Sequence, residues 1–340
     1  MSLPTRALGT SSLEITTVGF GSWAVGGGGW AFGWGPQDDD VSIAAIHRAV
    51  DLGVNWIDTA AIYGLGHSEE VVGRAVRALP AAARPLIFTK CGLEWDAAGP
   101  LRDPQCIVTP HTVRHGIVDS LRRLGIETVD LFQIHWPDDQ GNPVEEAWAE
   151  MVRLREEGKA RAIGVSNFDP DLLARCEAVG HVDALQPPFS LINRRAAGAE
   201  LPWAARHATG VICYSPMESG ILTGTFTAER VAAMADEDWR KREHTFNEPE
   251  LGRNLSLRDA LRPIAARHDA TVAAVAIAWV TRWPGVSGAI VGARSPEQVD
   301  GWIGGASLAL TDDDLDEIAA ALRETGVGEG LADPRRPYSA

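Results

Sequence analysis

Four side chains suited to proton and charge chemistry fall at matching places along the sequence. Asp58 lies near the end of the apolar run "VNWIDTA", with Tyr63 five residues further on. Lys90 is near the end of "PLIFTKC", and His135 closes "VDLFQIH". Each run is short, apolar and rich in β-branched residues, the pattern of a buried strand. Singly, these residues are ordinary: a strand-end Asp often caps, a Lys snorkels to water, and a lone His is commonly structural. Successive strands that bring a carboxylate, an ammonium and an imidazole to one place, with a phenol beside them, make a different object. Lys90 sits in an otherwise apolar strand, where burial without a partner is costly, and Asp58 is the nearest carboxylate in the pattern. A phenol of ordinary pKa near ~10 exchanges protons poorly at neutral pH, and an adjacent ammonium lowers that value. Lys90 is therefore expected to tune Tyr63, Asp58 to hold Lys90, and His135 to hydrogen-bond a carbonyl oxygen. The chemistry is proton transfer to a polarised oxygen, and it requires no metal.

The elements that must position these groups recur along the whole chain. "ITTVGFGSW" reads as a first strand, "DDVSIAAIHRAVDLG" as a helix ending at Gly53, and "VNWIDTA" as the second strand. The alternation continues through "ARAIGVSN", "DALQPPF", "GVICYSP" and an eighth strand, "GVSGAIVG". Repeated βα units without a compositional break predict one α/β domain over 1–340. The expected fold is a (β/α)8 TIM barrel of parallel strands, with an open doubly wound sheet as the alternative. "TDDDLDEIAAALRET" adds a C-terminal helix; 220–254 reads as a polar insertion loop and 326–340 as an irregular tail. In a barrel of this kind, chemistry belongs at the C-terminal ends of the strands, where Asp58, Lys90 and His135 stand.

Composition narrows the function classes. The net charge of −15 argues against nucleic acid or an anionic membrane surface as a partner. Cys91, Cys106, Cys176 and Cys213 are scattered without a C-x-x-C pair, which fits a reducing compartment, and no apolar run is long enough to span a bilayer. A cytoplasmic protein is the expectation. The stretch "AVGGGGWAFGWGP" follows "GFGSWA", a loose match to a dinucleotide-binding glycine turn. Such a turn delivers its glycines straight into a helix, whereas this one runs on through two tryptophans and a proline. It reads instead as the loop after the first strand.

The ordered set "NWIDTAAIYGLGHSEEVVGRAV", "FTKCG", "DLFQIHWPD", "GKARAIGVSNF", "LQPPFSLINR", "YSPMESGILTG" and "AIVGARSPEQV" resembles the aldo-keto reductase superfamily. Within it, the branch related to potassium-channel β subunits and bacterial general-stress reductases is the most similar. The resemblance spans about Leu8 to Ala320. It implies a catalytic tetrad of Asp58, Tyr63, Lys90 and His135, and hydride transfer between a nicotinamide and the carbonyl carbon of an aldehyde or ketone, with Tyr63 as proton donor. It further implies that Gly21 and Trp23 touch cofactor and substrate, and that Ser166, Asn167 and Gln186 bind the carboxamide. Tyr214 would stack on the nicotinamide, while Ser215, Pro216, Met217, Ser219 and Gly220 follow the pyrophosphate. Gly292, Arg294 and Gln298 would hold the adenosine half. Arg294 suits a ribose 2′-phosphate, which favours NADPH with NADH possible.

Two motifs depart from the family pattern. Thr225 stands where "LTGK" has a lysine for the pyrophosphate, and Gly301 and Trp302 replace an adenine-binding Glu and Asn. Trp302 either stacks on adenine or packs in its helix. Of twelve tryptophans, Trp23, Trp30, Trp34, Trp95 and Trp136 fall at or after strand ends and are expected to wall the substrate pocket. Trp56, Trp148, Trp203 and Trp279 read as core. An aromatic wall suits a small-molecule carbonyl that is apolar, aromatic or sugar-like. The rival readings are a redox-sensing regulatory subunit that binds cofactor with little turnover, and a metal-dependent hydrolase using Asp58 and His135.

Overall fold

The computed structural model describes residues 2–235 and 238–337. Eight parallel strands close into a barrel: Val18–Gly21, Trp56–Asp58, Leu86–Cys91, Val129–Ile134, Ala160–Ser166, Ala184–Gln186, Gly210–Cys213 and Val286–Gly292. Each pairs with its predecessor and successor in this series, and the eighth closes on the first through the register Ala289 to Val18. The closed barrel replaces the open-sheet alternative. The strands are shorter than their apolar runs; the sixth stops at Gln186 because Pro187 and Pro188 follow, and proline cannot donate to a ladder.

Helices lie outside the barrel, and their ends are written in the sequence. Asp38 caps Asp39–Asp51 by accepting from Val41 N. Thr109 opens Pro110–Leu124 with a capping box and a proline at the first turn, and Gly125 ends that helix in the left-handed region at φ 68°. Thr311 caps Asp312–Thr325 in the same way, with Gly326 closing it. Such caps satisfy N–H and C=O groups that a helix leaves unpaired at its ends. The apolar helix Val272–Thr281 is buried along its whole length, because it is covered on one side by the barrel and on the other by its neighbours.

The floor of the barrel is filled by one large side chain. Trp56 is fully buried against Phe88, Leu131, Ala162, Ala184 and Ile212, and its indole donates to Thr16 O at 2.8 Å. Gly19 makes the space: a Cβ there would meet the Trp56 ring at 2.2 Å. Below it, the antiparallel hairpin Thr5–Ala7 with Glu14–Thr16 plugs the barrel with Leu8, Leu13 and Ile15. The reading of "ITTVGFGSW" as one strand is thus corrected: Ile15 and Thr16 belong to the plug, and the barrel strand begins at Val18. Alternation alone cannot show that change of direction, because both pieces are apolar.

Two more differences bear on the site. A small hairpin, Leu93–Glu94 with Gln105–Cys106, stands on the loop after the third strand. The polar insertion 220–254 is built of short helical turns, Ala228–Ala232, Trp239–Arg242 and His244–Phe246, and its last residues open the helix Glu250–Ala260. That helix takes in Glu250 to Asn254, the last residues of the expected loop, and yields to a second, Arg262–Arg267, at Pro263. Among the described residues, no helix is long and apolar enough to cross a membrane. Of the expected tail 326–340, residues 338–340 lie outside the described residues.

Candidate active site

At the C-terminal ends of the second, third and fourth strands, the four sequence-selected groups converge. Lys90, with no exposure, donates from Nζ to Asp58 Oδ1 at 2.5 Å and to Thr59 O at 2.9 Å. The same ammonium is 3.5 Å from the Tyr63 hydroxyl. The His135 ring stands edge-on to the Tyr63 ring, with centroids 5.6 Å apart, and His135 N donates to Cys91 O, fixing the residue just past its strand. Asp58 takes a further hydrogen bond from Gln186 Nε2 at 3.0 Å.

Burial dominates the electrostatics. It pushes the Asp58 carboxyl up and the Lys90 ammonium down, against their mutual attraction. Tyr63 is held well above its ordinary value, first by burial and then by Asp58. The expectation that Lys90 lowers the Tyr63 pKa is therefore corrected. Asp58 offsets the lysine charge, and a buried phenolate is costly. Tyr63 keeps its proton. Burial and the Lys90 charge hold His135 well below its usual value, so it is neutral at physiological pH.

One cavity of about 1610 Å³ opens over these groups. Tyr63, His135 and Asp58 line it, and Lys90 lies beneath them. Gly21, Trp23, Ser166, Asn167, Gln186, Tyr214, Ser215, Pro216, Met217, Ser219, Gly220, Gly292, Arg294 and Gln298 all line the same cavity. Its donor set suits an extended dinucleotide. Asn167 is held at φ 64° by hydrogen bonds to His135 O at 3.0 Å and from the Tyr214 hydroxyl at 2.8 Å. Ser166 Oγ donates to Gln186 O. These amides and hydroxyls are pre-oriented at the barrel centre. Further out, Ser215, Glu218, Ser219 and Gly220 all have positive φ, an unusual run for residues other than glycine. Within it, Glu218 N donates to Ser215 O and Gly220 N to Met217 O. Left-handed strain of this kind concentrates at ligand sites.

The aromatic wall is only partly as expected. Trp23, Trp30, Trp34 and Trp136 line the cavity. Trp95 does not; it packs behind, on the cluster of Trp30, Ala60 and Ile62, because the small hairpin turns it away from the mouth. In its place stands Trp239, from the polar insertion, stacked on Trp23 at 4.8 Å and edge-on to Trp34 at 5.5 Å. Arg240 lies over the Trp34 ring at 4.6 Å, and Arg242 donates to Ala31 O. The insertion is clasped to the loop after the first strand. Arg294 belongs to that clasp too, donating to Gln37 Oε1 at 2.7 Å, to Trp34 O at 3.1 Å and to Pro36 O.

Thr225, Gly301 and Trp302 also line the cavity. Trp302 is 2% exposed and packs in the main core. A Cβ on Gly301 would meet nothing within 4 Å, which leaves that corner of the cavity open.

Two contributors went unread in the sequence. Gln133 is fully buried, accepts from Gln186 Nε2 at 3.2 Å, and supports the Asp58 carboxylate. It stands two residues before His135, so strand alternation was its signal. Trp239 sat in a stretch dismissed as polar, and "DWRKR" holds one aromatic among charges. Among the described residues no three His, Cys, Asp or Glu side chains gather as a metal ion would need.

Similarity to known proteins agrees with this arrangement. The sequence model of the Aldo/keto reductase family matches residues 17–323. The chain is 33% identical over 328 residues to the NADH-specific methylglyoxal reductase of Escherichia coli (strain K12), covering 93% of this chain and 98% of that protein. It is 32% identical over 336 residues to the aldo-keto reductase YhdN of Bacillus subtilis (strain 168), covering 97% and 96%. The solved structure of the glycerol dehydrogenase AKR11B4 from Gluconobacter oxydans superposes with a TM-score of 0.85 at 35% identity, covering 97% of this chain and 98% of that one.

Proposed function

The chain belongs to the Aldo/keto reductase family, and from that premise we propose that it reduces aldehydes or ketones to alcohols with NAD(P)H, Tyr63 being the proton donor. The observation that carries this reading is the Tyr63 hydroxyl, protonated and 3.5 Å from Lys90 Nζ, at the inner end of the cavity lined by the expected cofactor residues. When bound, the reduced nicotinamide supplies the hydride that adds to the carbonyl carbon. Tyr63 gives its proton to the carbonyl oxygen as charge builds there, so C–O– becomes C–OH and the phenol becomes a phenolate. Lys90 stabilises that phenolate, and Asp58 keeps Lys90 aimed at it. Neutral His135 donates a ring N–H to the carbonyl oxygen and so orients the substrate. Water restores the Tyr63 proton afterwards. Ser166, Asn167 and Gln186 orient the carboxamide, and Tyr214 provides the stacking surface.

Arg294 carries the proposed preference for NADPH, since a guanidinium suits a 2′-phosphate. To bind it, Arg294 must exchange its acceptors on Trp34, Pro36 and Gln37 for the phosphate. Those contacts favour NADH as the second reading, the cofactor in the name of the E. coli relative. The aromatic wall supports small neutral carbonyl substrates. The test is loss of reduced-nicotinamide absorbance with a panel including methylglyoxal, benzaldehyde and glyceraldehyde, and its gain with glycerol and the oxidised cofactors. Turnover with either cofactor is expected. Tight binding without turnover in both directions would instead favour a redox-sensing subunit.

A further inference from the structure

Glu218 plays no part in the tetrad or the expected carboxamide contacts, yet its side chain lines the same cavity. It stands at φ 46°, in the left-handed run that begins at Ser215. Ser190 Oγ donates to its Oε2 at 2.7 Å. That serine is fixed in turn by accepting from Ile192 N and Asn193 N. The backbone pairing Phe189 N to Tyr214 O, at 3.1 Å, brings the Ser190 loop against the Tyr214 segment. The carboxyl is thereby pinned to the loop that pairs with Tyr214, four residues before it, the residue proposed to carry the nicotinamide. After burial, the Glu218 charge is the second influence that raises the Tyr214 hydroxyl.

A carboxylate is an odd group to place beside a pyrophosphate. Thr225, which lines the cavity, brings no charge to offset it. Among the charged neighbours, Arg194 on the Ser190 loop is turned to the Leu191 and Val327 carbonyl oxygens. Glu243, from the segment across the mouth, adds a like charge. A group so placed acts unequally on the two redox forms of a nicotinamide. The oxidised ring is cationic and the reduced ring is neutral, while the phosphates are identical in both. Repulsion from the phosphates cancels in the ratio of the two affinities, and attraction to the ring does not.

We infer that Glu218 sets the relative affinity of the cavity for oxidised and reduced dinucleotide, tilting it toward the oxidised form. The inference rests on the reading of the cavity as a nicotinamide site. Burial and Glu243 push the carboxyl up to about 7, against the hydrogen bond from Ser190, so the tilt is present above neutral pH and fades below it. His135 stays neutral across that range. His244, which also lines the cavity, is common to wild type and variant.

The experiment is titration of the full chain with NAD+, NADH, NADP+ and NADPH, followed by quenching of its tryptophan fluorescence. The quantity read is the ratio of the reduced-form Kd to the oxidised-form Kd. At about pH 8.5, where the carboxyl is ionised, Glu218→Gln lowers that ratio roughly three- to tenfold, the size of one screened charge pair inside a protein. Glu218→Asp keeps most of it. Without any variant, the wild-type ratio at about pH 6 falls to that of Glu218→Gln. Equal changes in both Kd values, or a ratio that moves with neither pH nor substitution while binding persists, overturns the inference and leaves the functional reading standing. A wild-type chain that binds no dinucleotide overturns both.

Discussion

At the floor of the barrel, Trp56 is enclosed by apolar side chains, its indole paired to Thr16 O, and a glycine opposite makes the space it needs. At the mouth, Lys90 and Asp58 are equally buried but charged, and Ser215, Glu218 and Ser219 hold left-handed backbone. Both ends are tightly built. The floor satisfies every rule of burial and contributes stability, whereas the mouth departs from several of them and contributes chemistry. Conventional packing at one end supports the strained and charged groups at the other.

The largest test of this contrast is Tyr63→Phe. Removal of the hydroxyl should lower kcat/KM by roughly 10³-fold while cofactor Kd and Tm stay near wild type. A variant that turns over normally would remove Tyr63 as proton donor and blur the division. At the floor, Gly19→Ala should do the reverse. Its Cβ falls 2.2 Å from the Trp56 ring, so chemical or thermal unfolding should show a loss of about 3 kcal/mol, with kcat of the folded enzyme within about twofold of wild type. An equal fall in kcat would mean that the floor shapes the site. Arg294→Ala sharpens the mouth itself. If NADPH is preferred, its Kd rises about tenfold, or about 1.4 kcal/mol, and that of NADH changes little. If NADH is the cofactor, freeing the first loop leaves both nearly unchanged. Smallest is Thr311→Ala, which removes a helix cap far from either end. About 1 kcal/mol of stability should be lost, with kinetics unaltered.

How much of this was legible follows from what holds each residue. Asp58, Lys90 and His135 could be read because strand ends in a barrel share one mouth, so periodicity fixes where they point. The helices were legible from their apolar periodicity, as in "DDVSIAAIHRAVDLG" and "TDDDLDEIAAALRET". Trp95 was misplaced because a two-residue hairpin turned it, and so short a ladder leaves no periodic trace. Trp239 was missed because the insertion is ordered by contacts with Trp23 and Trp34, which are distant in sequence, and not by any local pattern. The protonation of Tyr63 was misjudged for a similar reason. Lys90 was visible as a neighbour, but the depth of burial that outweighs it is a property of the assembled barrel.

The floor plug carries a consequence for how the chain comes to be folded. Arg6 donates to Thr281 O at 2.8 Å and to Val286 O at 2.5 Å, and Ser287 Oγ donates to Ala7 O at 3.0 Å. The first barrel strand likewise needs the eighth at its side. Arg6 and Ala7 thus find these partners 275 or more positions further along the chain. Until then the first strand is an open sheet edge, with Phe20 and Val18 uncovered, and such edges pair with whatever strand is near. For this chain, then, the barrel is sealed only once the eighth strand is in place, and loss of that strand would strip the floor hairpin of the contacts that Arg6 and Ala7 make with Val286 and Ser287.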